Sequence, residues 1–448
     1  MPHHDLLIIG AGSGNTLIGP EHDKWNVAIA EPGPFGGTCM NRGCIPSKML
    51  VHIADLALSA RQAPKLGIET AFLGTNWDEI QDRIFGRIDH LAAEGLTYRE
   101  NLPNVTVYRH NAQFINERTV ELGSSCVSAE KIVLAAGARA VKPDIPGLAQ
   151  TPYQTSDSIM RNKTLPKNLA IIGGGFIAVE MAHIFEALGT NVIMLIKGKN
   201  LLSKADRSIQ TRITDLYKER LDLRTETEVT AVEYDKKFKL NLNNGTDIQV
   251  DELLIATGRK PNSDLLDVKQ GGIDVDENGY VTTDNQLRTS ATSTWALGDI
   301  TNSAQLKHTA NEEARIVAHN ILNPENPISL SSPLTPYAVF GYPKIACVGL
   351  TEEELVSSKT PYSVSIREYS STAYGWAMED TTGFVKLIRD PKSHLLLGAH
   401  ILGPEAPTLL QQLITSMAAG ITTDDLAKNQ LYIHPAMPEV VEQALLGF

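Results

Sequence analysis

Cysteine is scarce in this chain: Cys39, Cys44, Cys126 and Cys347 are the only four among 448 residues. Four are too few to staple a protein of this size, so packed cores must carry its stability. Positive charge is also in deficit. Forty Lys and Arg stand against 52 Asp and Glu, a formal net charge of −12, which argues against nucleic-acid partners because phosphate backbones are bound by clustered cations. Long apolar runs are missing as well. The least interrupted, 169–182, is broken by three glycines and Glu180, short of the ~18 apolar residues that a membrane helix needs. Met1 to Asp5 lead at once into Leu6-Leu7-Ile8-Ile9, without the basic segment or small-residue cleavage pattern of an export signal. A cytoplasmic protein with no membrane partner is expected.

What remains is ordinary globular composition, 42 % hydrophobic and 21 % charged, in a chain long enough for about three domains. Two apolar strand patterns, 5–9 and 168–172, each run into a glycine turn and then a helical pattern, which is how a βαβ nucleotide-binding unit opens. Each half later carries a short apolar strand, 131–136 and 252–256, closed by Gly137 and by Thr257-Gly258-Arg259. The duplication implies two bound nucleotides. Beyond 331 short strand patterns mix with one long helical pattern, 407–419, and no glycine turn recurs, the mark of an α+β domain. The expected division is 1–150 and 281–330 for one nucleotide domain, 151–280 for the other, and 331–448 for the last.

In the first turn Gly10, Gly12, Ser13, Gly14 and Asn15 follow a strand, and Glu31 closes the next strand pattern. Glycines there let a backbone approach a pyrophosphate, and an acid at the end of the second strand accepts ribose hydroxyls. Asn15 stands where a third glycine is usual, and Gly19-Pro20 interrupt the helical pattern that follows, so this turn must pack differently. The second turn is Gly173-Gly174-Gly175-Phe176-Ile177-Ala178. Its following strand ends in Ile196, followed by Lys197 and Lys199; no acid stands there for an NAD ribose, and the lysines suit the extra phosphate of NADPH.

The segment Gly36 to Lys48 holds a C-x4-C pair at the start of a helical pattern. Such a pair can close a small disulfide loop, and a helix N-terminus favours the thiolate. The other cysteines and histidines are not grouped as metal ligands would be, so thiol–disulfide exchange is the expected chemistry and no metal is expected. Cys126 and Cys347 read as small core residues. Arg42, inside the cysteine loop, either stabilises a thiolate or is a solvated charge.

Gly-Gly-Thr-Cys39-x4-Cys44-Ile-Pro-x-Lys48, Ala256 to Asn262, Ala296 to Asp299 and His434 to Glu439 together resemble the flavoprotein disulfide reductase family over essentially the whole chain. The resemblance implies an α/β fold of two Rossmann-like domains, for FAD and NADPH, followed by an α+β dimerisation domain. It implies that Cys44 lies nearer the flavin as a charge-transfer thiolate while Cys39 attacks the substrate disulfide. Lys48 would pair with Glu180 beside the flavin. His434, oriented by Glu439, would protonate the departing thiol across the interface of a homodimer. Gly37, Thr38, Gly137, Gly258, Arg259, Gly298 and Asp299 fall in the motifs expected at FAD; Gly173, Gly175, Phe176, Ile177, Glu180, Lys197 and Lys199 are expected at the nicotinamide nucleotide. A small-molecule disulfide is the implied substrate. Within the family, a dihydrolipoamide dehydrogenase is disfavoured by Ile196, and a glutathione reductase by the lack of evident cations for an acidic peptide. A flavin-binding redox sensor is disfavoured by His434 and Glu439, because a sensor needs no general acid.

Overall fold

The computed structural model describes residues 1–330 and 334–448, so the boundary expected at 331 lies outside the described residues. The first sheet has seven strands in the order Val105–Tyr108, Val27–Ala30, His3–Ile9, Ser125–Leu134, Thr119–Leu122 and Ala112–Asn116, with Thr294–Ala296 also pairing to Ser125–Leu134. Its centre is parallel and its far edge antiparallel. Leu6, Leu7, Ile8 and Ile9 are all buried, as a parallel strand covered on both faces requires. The second sheet, Asp222–Arg224, Asn191–Leu195, Asn168–Ile172 and Glu252–Ile255, is parallel throughout. The third is a five-stranded antiparallel sheet in the order Tyr337–Val339, Ile345–Gly349, Leu396–Leu402, Phe384–Arg389 and Ser363–Glu368. Leu409, Leu410 and Leu413 of one helix and Val440 and Val441 of another share the core of this third sheet. Two Rossmann-like domains and an α+β domain are therefore present as expected.

A short antiparallel pair, Ala138–Ala140 with Arg259–Pro261, ties the exits of the two nucleotide domains together. Past it, Leu266, Val268 and Ile273 already pack with Leu7 and Phe114 in the first domain's core, so the chain returns to that domain before residue 281.

Four helices position the site: α1 (Gly37–Arg42), α2 (Cys44–Gln62), α3 (Trp77–Glu100) and α4 (Phe176–Ala187). In α3 the buried residues Trp77, Ile84, Phe85, Ile88 and Ala92 recur at the three- and four-residue spacing of an amphipathic helix; Asn76 Oδ1 caps it by accepting from the Glu79 amide. Helix α4 is buried on nearly all sides and packs along α2. Each large apolar side chain in that seam contributes roughly 1.5–3 kcal/mol. After the first glycine turn there is no α-helix, only a five-residue 3-10 turn, Ser13–Leu17, and a second short one at Pro20–His22. Gly19-Pro20 ends the first turn as the sequence suggested.

Candidate active site

The C-x4-C segment is not one helix but two. It breaks at Gly43, where a side chain would meet Thr38 O at 2.9 Å and Cys39 Cα at 3.3 Å; only glycine lets α1 and α2 come so close. Cys39 sits in α1 and Cys44 is the first residue of α2. Both are free thiols. The neighbouring Cys44 thiol lowers the Cys39 pKa to about 7, against burial, with the Lys307 charge assisting. Cys39 and burial in turn push the Cys44 pKa up. The two thiols are therefore electrostatically coupled, the Cys39 pKa pulled down and that of Cys44 pushed up. Buried Asn41, between the two, donates to Phe35 O at 2.8 Å and Gly37 O at 2.9 Å and pins the loop.

One turn beyond Cys44, Lys48 is drawn down to about 8 by burial, with Glu180 opposing and Lys344 assisting. The expected Lys48–Glu180 ion pair is not formed. Glu180 Oε1 accepts instead from the Phe340 amide at 2.9 Å, and Lys48 Nζ lies over the Phe340 ring. Phe340 comes between them. Burial raises the Glu180 pKa, the Phe340 amide and Lys48 opposing. Among the described residues Lys48 Nζ is buried with no hydrogen-bond partner, yet Lys48 lines the main cavity: it is a donor awaiting an acceptor.

That cavity, about 2410 Å3, runs from the first glycine turn past both cysteines to the second turn. Of the residues expected at FAD, Gly10, Gly12, Ser13, Glu31, Gly37, Thr38, Lys48, Gly137, Gly258, Arg259, Gly298 and Asp299 line it. Gly14 and Asn15 do not. Gly14 packs against Ala135 and Ile8, where a side chain would meet carbons at 2.7 and 2.9 Å, and Asn15 turns to Arg99. Glu31 accepts from the amides of Ala11 and Gly33, each at 2.8 Å, which fixes its carboxylate at the strand end. Burial holds Asp299 above the usual carboxylate range, with Arg259 and Lys307 opposing. Beside it, Glu313 accepts from the Gly298 amide at 2.5 Å and from Asn302 at 3.0 Å, and burial lifts its pKa to about 7. Glu313 lies fifteen residues from Gly298, on another helix, and no sequence motif marked it.

At the second turn, Gly173 has φ 133° and a side chain there would meet Ala256 O at 2.2 Å. Gly175 precedes the true helix α4, whose free amide groups and dipole suit a phosphate. Phe176, Ile177, Glu180 and Lys197 line the cavity, whereas the exposed Lys199 does not; Lys204, unforeseen, does. Lys197 pairs with Glu228 at 2.9 Å. Ile196 is buried against Gly174, so no acid reaches the ribose position from that strand end. Two glycine turns on one cavity, an unpartnered Lys48 amine and a dithiol between them fit two dinucleotides.

His434 and Glu439 are outside this cavity. His434 Nδ1 meets Glu439 Oε1 at 2.5 Å; the imidazole is 70 % exposed while Glu439 is buried. The segment that leads to it exposes Leu431 and Ile433. Glu439 thus orients the ring, and among the described residues Nε2 makes no hydrogen bond and nothing brings the imidazole to the cysteines. Of the remaining thiols, Cys347 is buried as expected, whereas Cys126 is exposed because it lies on the outward face where its strand leaves the sheet's covered part. Among the described residues no cluster of His, Cys, Asp and Glu could hold a metal.

Two dinucleotide turns and a dithiol on one cavity define a flavin- and nicotinamide-dependent disulfide oxidoreductase. The chain belongs to the pyridine nucleotide-disulphide oxidoreductase family: that family's profile matches residues 4–314, and the profile of its dimerisation domain matches residues 335–445. Its cofactors are FAD and NAD(P)H. It is 44 % identical to mycothione reductase of Mycobacterium tuberculosis, with all of both chains covered, and 33 % identical to glutathione reductase of Burkholderia cepacia, with 97 % of each covered. Among solved structures, the copper complex of the HOCl-induced flavoprotein disulfide reductase RclA from Escherichia coli superposes with a TM-score of 0.88 at 30 % identity, covering 100 % of this chain and 99 % of that one.

Proposed function

We propose that this protein is a homodimeric, NADPH-dependent reductase of mycothiol disulfide that works in the cytoplasm. The observation that carries the substrate is the 44 % identity to mycothione reductase from end to end. Three further segments, 85–89, 374–380 and 433–442, resemble that enzyme in particular, as does the Gly-Ser-Gly-Asn turn at 12–15. Mycothiol is a cysteinyl glucosaminyl-inositol thiol. NADPH is favoured over NADH by Ile196 in place of an acid and by Lys197 and Lys204 on the cavity. Among the described residues no helix is long and apolar enough to cross a membrane.

FAD, when bound, carries the electron pair from the nicotinamide to the Cys39–Cys44 disulfide. Gly10, Gly12, Glu31, Lys48 and Asp299 would hold FAD, and Gly173, Gly175, Lys197 and Lys204 would hold NADPH. In the reduced pair the Cys39 thiolate attacks one sulfur of the substrate disulfide. That bond breaks, a mixed disulfide forms on Cys39, and the departing thiolate takes a proton from His434 of the partner subunit, whose ring Glu439 orients. Cys44, deprotonated in turn, attacks Cys39, expels the second thiol and restores the internal disulfide. Two mycothiols leave for each NADPH and proton consumed.

Steady-state rates with NADPH and with NADH, each against mycothiol disulfide, glutathione disulfide and lipoamide, test this reading. It expects mycothiol disulfide with NADPH to be turned over best; equal or faster rates with either of the other disulfides would remove the substrate assignment.

A further inference from the structure

The first glycine turn is short of what a dinucleotide site usually has. A full α-helix would bring aligned peptide dipoles to the pyrophosphate, but here only the 3-10 turn Ser13–Leu17 follows, and Ile18 is extended. The carbonyls of Asn15 and Ile18 therefore lack the partners that a continuing helix would supply.

Two cations from distant parts of the chain meet this turn. Arg99, in the last turn of α3 and 7 % exposed, donates through Nε to Asn15 Oδ1 at 2.8 Å and through Nη2 to Asn15 O at 2.7 Å and Ile18 O at 3.5 Å. Lys307, the first residue of the helix Lys307–Leu322, donates to Ser13 Oγ at 2.8 Å and lines the cavity. Among the described residues neither cation has a carboxylate within 4 Å; the guanidinium has only neutral oxygens and, in the same region, the Tyr98 ring. Burying a guanidinium without a counter-ion is unfavourable, and the anion that this turn is shaped for is a pyrophosphate.

We infer that Arg99 and Lys307 take the place of the missing helix: Arg99 is a positioning residue that closes the turn by its forked hydrogen bonds to Asn15, and the two positive charges supply the potential that holds the FAD pyrophosphate. This also accounts for Asn15 at the third glycine position, because its amide oxygen is the acceptor that the Arg99 fork requires.

Flavin retention in the purified holoenzyme tests the inference. FAD release is followed by the rise in flavin fluorescence, with thermal unfolding measured in parallel. R99M and K307M are each expected to release FAD roughly tenfold faster than the parent, the loss of one charge-assisted contact. R99K, which keeps the charge without the fork, is expected to recover part of that retention. In K307M, which does not disturb α3, the melting temperature of flavin-free protein is expected to stay at the parent value. Release at the parent rate in both R99M and K307M would overturn the inference. Should R99M fail to fold, K307M and R99K decide it: parent-like release in both refutes it, since K307M leaves α3 intact and R99K keeps the charge while removing the fork. A parent protein that purified without flavin would instead count against FAD as the cofactor.

Discussion

Cys39 and Cys44 are chemically unequal before any cofactor is considered. Because the Cys44 thiol draws the Cys39 pKa down, the reduced enzyme should be alkylated by iodoacetamide first at Cys39, with a midpoint near pH 7; peptide mass spectrometry across pH checks this, and first labelling of Cys44 would contradict it. The sign is that of a lowered thiol pKa: reactivity is present above about 7 and fades below it. A second expectation concerns Glu439. E439A leaves the exposed His434 unoriented and should cut disulfide turnover about 10²-fold while flavin reduction by NADPH, read by stopped-flow absorbance, stays at the parent rate. Motifs that are local in sequence could be read at this scale: His434 and Glu439 are five residues apart and form the bond they imply. Residues joined only through the fold could not. Phe340 separates Lys48 from Glu180, Glu313 holds the Gly298 amide and Arg99 holds Asn15; each comes from an element whose own pattern signals nothing but packing.

The elements show the same division. The two βαβ openings were evident because buried parallel strands are continuous apolar runs and glycine turns punctuate them. The strands at 168–172 and 191–195 fall where the pattern puts them. Less evident was the break between α1 and α2, since the helical pattern runs through Gly43 and the reason for glycine there is the approach of Thr38 O and Cys39 Cα. G43A should therefore push α1 off α2 and separate the thiols. Its expected signature is disulfide turnover reduced about tenfold or more, as small displacements of reacting groups cause, with bound FAD retained; unchanged turnover would show that the close approach is unimportant.

In the whole molecule the nucleotide and α+β domains are pinned by a buried ion cluster. Lys386 Nζ, from the third sheet, meets Asp206 Oδ1 and Oδ2 at 2.9 Å and Glu352 Oε2 at 2.6 Å, with both Lys386 and Asp206 almost fully buried. K386M would leave Asp206 buried and unpaired, and should cost about 3–5 kcal/mol, read as a lowered midpoint in denaturant unfolding. Burial alone would raise the Asp206 pKa, but Lys386 and the amides of Ser208 and Glu352 together hold it below the usual range. Its stabilisation is thus complete above the ordinary carboxylate value of about 4 and is lost as pH falls through the depressed one. No sequence pattern announced this cluster, since its members lie 146 and 34 residues apart.

The central claim is that electrons from the nicotinamide nucleotide reach the Cys39–Cys44 pair. Anaerobic addition of one equivalent of NADPH to the oxidised holoenzyme, followed by alkylation and peptide mapping, tests it most directly. The account predicts two newly labelled thiols per subunit, at Cys39 and Cys44, with Cys126 and Cys347 unchanged. Flavin reduction without new thiols at those two positions would contradict it.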